Sequence, residues 1–457
     1  MLKGRKMFEE DTIAAIATAP GMGGIGIVRI SGPEAERILK TLFQPAGVRK
    51  CEKWESHRLM YGRIADRDQI LDECMAVIMR APKSYTREDV AEIQSHGGTQ
   101  VLQSILASVL KNGARLAEPG EFTRRAFLNG RIDLSRAEAV MSLISARGEQ
   151  EQKAAVRQMN GGTAEFIRKA SDRLYHLQAG LAACIDYPEE ISDEEGAGML
   201  RQGLSELTET LNNAMDERSA RLIHDGMQVT LFGTPNAGKS SLLNALIGQE
   251  KAIVTDIPGT TRDTVEGEII LDGIRVHLTD TAGMRNTDDP IERIGVERSE
   301  KARQNADAVM LILDGSRDLT GEEQRWILQM HETDAVIVNK SDLPQKTTEE
   351  TVRMLRPGIR CMTVSALESR SLQPIREYLR KNAEVRDQLA VTQPRHLDAV
   401  KRAVIHLEDA MRTLEEWTPD VAATDLQAAQ NALSEITGDK PDEKLLDAVF
   451  SSFCVGK

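Results

Sequence analysis

The spacing of apolar positions changes period several times along this chain, and each change predicts an element or a boundary. Thr12-Ile-Ala-Ala-Ile-Ala-Thr18 and Gly26-Ile-Val-Arg-Ile30 read as strands, and Gly32-Pro33 is expected to open a helix with proline at its first position. From about 125 to 222 the pattern turns helical, with Ser135-Arg-Ala-Glu138 as an expected capping box and Val140, Met141 and Ile144 on one face. Val229-Thr-Leu-Phe232 then reads as a strand before a helix over Ser241–Leu246, and Ile274, Val276 and Leu278 alternate as a strand does. Further apolar runs end at Asn339 and at Ser365. Leu397, Val400, Val404, Leu407, Met411 and Leu414 recur at 3-4-3-4-3 spacing, a helix with one seam that core packing explains better than a dimer contact. Leu445, Leu446, Val449, Phe450 and Phe453 make a last stripe, so the tail is expected to be tethered.

These periods predict a multidomain α/β chain. An α+β domain over 1–124 precedes a discontinuous helical domain made of 125–222 and 383–457, with a phosphate-loop domain on a doubly wound sheet inserted at 223–382. At 457 residues, two to four domains can each bury a core.

The inserted segment carries the chemistry. Gly233-Thr-Pro-Asn-Ala-Gly238-Lys239-Ser240 is a phosphate loop between a strand and a helix. Its glycines let backbone amides turn around phosphates, Lys239 can reach the terminal phosphates, and Ser240 can ligate Mg²⁺. Thr260-Thr261 offers a second hydroxyl for the metal at Thr261, and Asp280-Thr281-Ala282-Gly283 ends the alternating strand, with the Gly283 amide placed to sense a γ-phosphate. Asn339-Lys340-Ser341-Asp342 and Ser365-Ala366-Leu367 follow in the order a guanine site requires. Guanine presents an N–H and an amino group side by side, which the Asp342 carboxylate can accept together; adenine has no such pair, so ATP use is disfavoured. The nucleotide set is therefore Asn236, Ala237, Gly238, Lys239, Ser240, Ser241, Thr255, Asp256, Ile257, Gly259, Thr260, Thr261, Asp280, Thr281, Ala282, Gly283, Asn339, Lys340, Asp342, Ser365, Ala366 and Leu367. Directly after Gly283 stands Met284, which cannot orient water, so hydrolysis needs another group. Arg262, Arg285, Asp288, Asp289, Glu292 and Glu297 are the nearby candidates, and the residues alone do not choose among them.

Other signals are exclusions. Gly21-x-Gly23-x-x-Gly26 matches a dinucleotide fingerprint as a string, but it joins two strands rather than a strand and a helix, so it is read as a glycine turn. With 58 basic and 71 acidic residues the net charge is −13, poor for sequence-independent nucleic-acid binding, so any RNA contact must be local or delivered by a partner. No 18-residue apolar run or signal core is present, and a cytoplasmic protein without membrane contact is expected. Five scattered cysteines without a CxxC or Cys/His cluster argue against zinc and structural disulfides.

Beyond the nucleotide motifs, the chain resembles the MnmE (TrmE) family of tRNA-modification GTPases. The resemblance rests on Gly24–Gly32, Tyr85–Gly98, Pro119–Leu134, Ile291–Gly295 and the Phe-Cys-Val-Gly-Lys ending, and it covers almost the whole length. It implies a K⁺ ion held by Asn236, Thr255, Ile257 and Thr260, Glu292 as the water-activating base, and G domains that pair during hydrolysis. It also implies a homodimer built through the N-terminal domain and a 5-formyl- or methylene-tetrahydrofolate held there by Arg29, Glu92, Arg131 and Lys457, with a functional role for Cys454. The implied partner is MnmG, which carries FAD and joins in a heterotetramer; together they act on the wobble uridine of tRNA. The alternative is a ribosome-assembly or regulatory switch GTPase of the Era or Der type, against which the large N-terminal domain counts.

Overall fold

A computed structural model of the chain describes residues 11–46, 54–67, 69–187, 193–248, 265–280, 306–386, 389–416, 419–439 and 443–456. The chain forms two compact units, one of residues 1–141, 158–171 and 430–457, the other of 142–157 and 172–429.

The first unit is built on a mixed seven-stranded sheet. Its strands are β1 (Ile13–Ile16), β2 (Gly23–Ser31), β3 (Phe43–Pro45), β4 (Met60–Asp66), β5 (Gln69–Met79), β6 (Val90–Gly97) and β7 (Arg115–Leu116), in the order β3-β4-β5-β6-β2-β1-β7. Alternation sends Val28, Ile30, Ile64, Ala76, Ile78, Ala91 and Ile93 to one face, where Ile38 and Leu39 of the helix Ala35–Leu42 and Leu102, Ile105 and Val109 of the helix Thr99–Lys111 cover them. The glycine turn joins antiparallel β1 and β2 and opens no helix, so the dinucleotide reading is excluded by topology.

Two expected helix starts are corrected. The first helix begins at Ala35 with Glu34 as its N-cap, rather than at Pro33. The helix Leu134–Ser145 is not capped by a Ser135–Glu138 box; Asp133 precedes it and accepts from the Arg136 amide (3.0 Å) and the Ser135 hydroxyl (2.6 Å). A carboxylate one residue outside the helix satisfies the orphan amides that Ser135, already inside, cannot reach.

The chain's last stripe lies in this unit. Leu446, Phe450 and Phe453 pack with Leu134 and Ala137, Pro119 bridges to Val455, and Gly120 N donates to Cys454 O at 3.4 Å. Gly456 sits at φ +100°, and a Cβ there would lie 2.3 Å from Ile16 O, so only glycine fits this close approach. The tail is tethered, as its apolar stripe predicts.

The second unit holds a six-stranded sheet of β8 (Met227–Phe232), β9 (Val265–Leu271), β10 (Ile274–Asp280), β11 (Ala308–Asp314), β12 (Ala335–Asn339) and β13 (Arg360–Thr363). Their order is β13-β12-β11-β8-β10-β9; all neighbours are parallel except the β9–β10 hairpin. Both faces are covered, with Val229, Leu231, Met310, Ile312 and Ile337 in one core and Phe232, Leu311, Leu313, Val336 and Val338 in the other. The order doubles back at β8, which puts a ligand crevice at the carboxyl ends of β8, β10, β11 and β12. Leu397, Val400, Val404, Leu407 and Leu414 of the helix Pro394–Glu415 are buried, with Ala399, Ala403 and Ala410 beside them, and the helix packs on Asp193–Asn213 of the same unit.

Candidate functional site

The phosphate loop leaves β8 at Phe232 and ends in the helix Lys239–Ile247, whose N-cap is Gly238 at φ +94°. A Cβ on Gly238 would stand 2.2 Å from the Asn339 amide nitrogen, so glycine both permits the turn and admits that side chain. Lys239 is buried, and its Nζ donates to Gly233 O at 2.9 Å and Thr234 O at 3.0 Å, spanning the loop. Burial pushes its ammonium below the ordinary lysine value, against the pull of Asp280. Ser240 Oγ donates to Asp280 Oδ2 at 2.8 Å, which joins a hydroxyl expected to ligate Mg²⁺ to the carboxylate at the end of β10. An oxygen-only set of a hydroxyl and a carboxylate suits a hard cation such as Mg²⁺.

Asn339 ties the base-reading side to the phosphate side. Its Nδ2 donates to Ala237 O at 2.9 Å, and its Oδ1 accepts from Ala366 N at 3.1 Å. Ser365 Oγ donates to Asp342 Oδ1 at 2.6 Å and accepts from Leu367 N at 3.3 Å, so two motifs separated along the chain hold one carboxylate. Lys340, at φ +65°, pairs with Asp314 Oδ2 at 2.7 Å at the end of β11. Burial raises the Asp314 carboxyl, but Lys340 and the Ser316 hydroxyl and amide hold it below the usual value. Asn236, at φ +65°, stands exposed on the loop. Thr255, Asp256, Ile257, Gly259, Thr260, Thr261, Thr281, Ala282, Gly283, Met284 and Glu292 lie outside the described residues.

Sequence reasoning missed a cluster behind the loop. Arg317 Nη2 donates to Thr234 Oγ1 at 2.8 Å, and Thr234 Oγ1 donates to Glu323 Oε1 at 2.8 Å. Arg317 also grips Glu323 with two contacts, at 2.5 and 3.0 Å, and Glu323 is 1% exposed. Glu323 reaches back to its own N-cap Thr320 in a capping box. The Thr320-x-x-Glu323 spacing was the legible signal; that its carboxylate also faces Thr234 was not.

The first unit brings together part of the set assigned to a folate. Arg29 and Glu92 stand opposite each other on β2 and β6, with Nε and Oε1 2.8 Å apart and both side chains less than a fifth exposed. The Arg29 guanidinium lies 5.7 Å from the Tyr85 and Phe122 ring centroids, and its Nη1 donates to Gly456 O at 3.4 Å. Arg131 lies 4.7 Å from the Tyr85 ring centroid and donates to Tyr85 O at 2.8 Å. The Tyr85 and Phe122 rings carry no earlier assignment, yet they shape this cluster. Cys454 is exposed two residues before Gly456, and Lys457 lies outside the described residues.

Comparison with known proteins bears on almost every residue. A family model described as the MnmE helical domain matches residues 134–454, and one described as the N-terminus of the GTP-binding protein TrmE matches residues 12–131. The chain is 43% identical to the tRNA modification GTPase MnmE of Heliobacterium modesticaldum, over 98% of this chain and 99% of that protein. It is 41% identical to the protein of that name from Alkaliphilus oremlandii, over 99% of this chain and 100% of the relative. The chain belongs to the MnmE family. For an MnmE-family chain both clusters fall within matched regions, the first-unit cluster within the TrmE N-terminal match and the phosphate loop within the other. Among the described residues no helix is long and apolar enough to cross a membrane.

Proposed function

We propose that this chain is a K⁺-activated GTPase that acts with an FAD-carrying partner of the MnmG kind to place an aminomethyl or carboxymethylaminomethyl group on the fifth carbon of the wobble uridine of certain tRNAs. The observation that carries the reading is Asn339, one side chain bonded at once to the phosphate loop and to the Ser365–Leu367 loop that fixes Asp342. Near full-length relationship to proteins named tRNA modification GTPase MnmE supports the rest. A switch GTPase of the Era or Der type leaves the domain over residues 12–131 without a task.

In this reading Asp342 selects guanine, and the loop amides with Lys239 bind the terminal phosphates. Ser240 and Thr261 would hold Mg²⁺, with Asp280 behind Ser240, and the ion supplies charge neutralisation at the β–γ bridge. Asn236, an exposed oxygen donor, would hold K⁺ with Thr255, Ile257 and Thr260, adding a second positive charge. Glu292 takes the proton of the attacking water, a role Met284 cannot fill, and the Gly283 amide registers the γ-phosphate. In the N-terminal domain, flat rings beside two guanidinium groups suit a pterin with an anionic glutamate tail, so Arg29, Glu92, Arg131 and Lys457 would hold tetrahydrofolate, the one-carbon source. Cys454, exposed beside that cluster, is assigned a functional role in the modification. The assembly is a homodimer through the N-terminal domain, joined by its partner in a heterotetramer in the cytoplasm, and an acidic chain leaves most tRNA contact to that partner.

GTP turnover by the chain alone, in KCl and in NaCl at equal ionic strength, tests the reading. Strong stimulation by K⁺ is expected, and its loss in Asn236→Ala; equal rates in both salts would remove the K⁺-activated mechanism.

A further inference from the structure

A cavity of about 80 Å³ lies in the second unit, away from the nucleotide crevice, lined by Gln150, Lys153, Ala154, Arg157, Ile223, Val385, Arg386, Leu389 and Thr392. At ~10–15 Å³ per water-sized occupant it has room for several such groups. Its wall is one helical face: Gln150, Lys153, Ala154 and Arg157 fall at i, i+3, i+4 and i+7 of the helix Glu149–Met159. Ile223 and Leu389 of the lining are buried, and Arg386 comes from the stretch that follows the helix Gln373–Asn382. Among the described residues the lining holds three cationic side chains, all of exposed residues, two neutral hydrogen-bonding ones and no carboxylate.

Among the described residues, the acids near this charge offset it only in part. Glu149 pairs with Lys153 at 2.7 Å in a well-exposed contact, worth little in water. The charge of Arg386 reaches Asp216, whose carboxylate is already engaged as the N-cap of the helix Glu217–His224. Arg157 spends one long contact, 3.4 Å, on Leu389 O. In a chain of net charge −13, a concavity lined by three cations runs against the overall composition.

We infer that this cavity is a binding site for a phosphate group, gripped by Arg157, Arg386 and Lys153, with Gln150 and Thr392 as neutral donors. Guanidinium forks match tetrahedral oxyanions. The phosphate can come from a free phosphorylated ligand or from a nucleic-acid backbone. The inference stands independently of the GTPase reading.

The test uses the full chain saturated with GDP, so that the phosphate loop is filled. Inorganic phosphate is titrated by ³¹P line broadening and a tRNA by fluorescence anisotropy, in chloride salt at fixed ionic strength. Arg157→Gln/Arg386→Gln should weaken phosphate binding at least tenfold, while Arg157→Lys keeps most of it and Arg325→Gln, an exposed change elsewhere in the same unit, leaves it intact. If tRNA affinity falls as well and its salt dependence flattens, the ligand is a nucleic-acid backbone; if only phosphate binding falls, it is a free phosphate compound. Equal phosphate binding by the parent and the double variant, or equal loss in Arg325→Gln, overturns the site.

Discussion

The two clusters of this chain are assembled in opposite ways. Among the described residues, the nucleotide crevice is made of short contiguous motifs at the carboxyl ends of strands, which a parallel arrangement brings to one edge. The first-unit cluster has no such scaffold logic. It takes Arg29 and Glu92 from antiparallel neighbours, Tyr85 and Phe122 from elsewhere, and closes on Gly456, 427 positions from Arg29. A site of the first kind is robust to changes far away in sequence; a site of the second kind depends on a terminus staying docked.

Breaking the first arrangement should cost most. Asn339→Ala leaves the Ala237 carbonyl and Ala366 amide without their partner, at about 1–3 kcal/mol for each group left unsatisfied. GTP affinity is expected to fall 10- to 100-fold by isothermal titration, and an unchanged value would mean that the base and phosphate loops are set independently. The counterpart in the first unit is Gly456→Ala, which adds a Cβ 2.3 Å from Ile16 O at φ +100°. Strain of about 1–3 kcal/mol should undock the tail and lower the first unit's melting temperature, with GTP affinity unchanged. If both properties fell together, the comparison between the clusters would fail.

Thr234→Ala asks how far the cluster behind the phosphate loop matters. It removes the hydroxyl that Arg317 and Glu323 share, and about 1 kcal/mol, or roughly fivefold in nucleotide affinity, is expected. Thr234→Ser should restore it, and Thr234→Ala at parental affinity would reduce the cluster to a helix cap.

The smallest effect is a pH dependence in the first unit. Arg80 hydrogen bonds hold the Glu36 carboxyl at about 2, from an ordinary 4.5, against burial and with help from Lys40. A lowered carboxyl stabilises the fold fully above 4.5 and loses that contribution as pH falls through about 2. Glu36→Gln should therefore flatten acid destabilisation of the first unit between those values in a circular-dichroism titration, and an unchanged slope would assign it to other carboxylates.

How much was legible follows the same division. The phosphate loop, Asp280, Asn339, Asp342 and Ser365 could be named and ordered from spacing, because each motif carries its function within a few residues. Glu323 stands at a Thr-x-x-Glu capping spacing that went unread, and its second bond to Thr234, 89 positions away, needs the fold. The capping error at Ser135 came from a neighbouring acid, Asp133, that competes for the same amides.

By itself the sequence determined the strand and helix periods, the guanine-nucleotide chemistry, the tethered tail and the family, because these rest on local backbone preference and contiguous motifs. Only the tertiary structure decided that Lys340 engages Asp314, that Arg317 and Glu323 brace Thr234, and that Arg29 faces Glu92 beside Gly456. It also decided that Lys153, Arg157 and Arg386 share one cavity. Those contacts depend on strand order, register and the path of the chain's ends, quantities fixed by packing over long sequence separations.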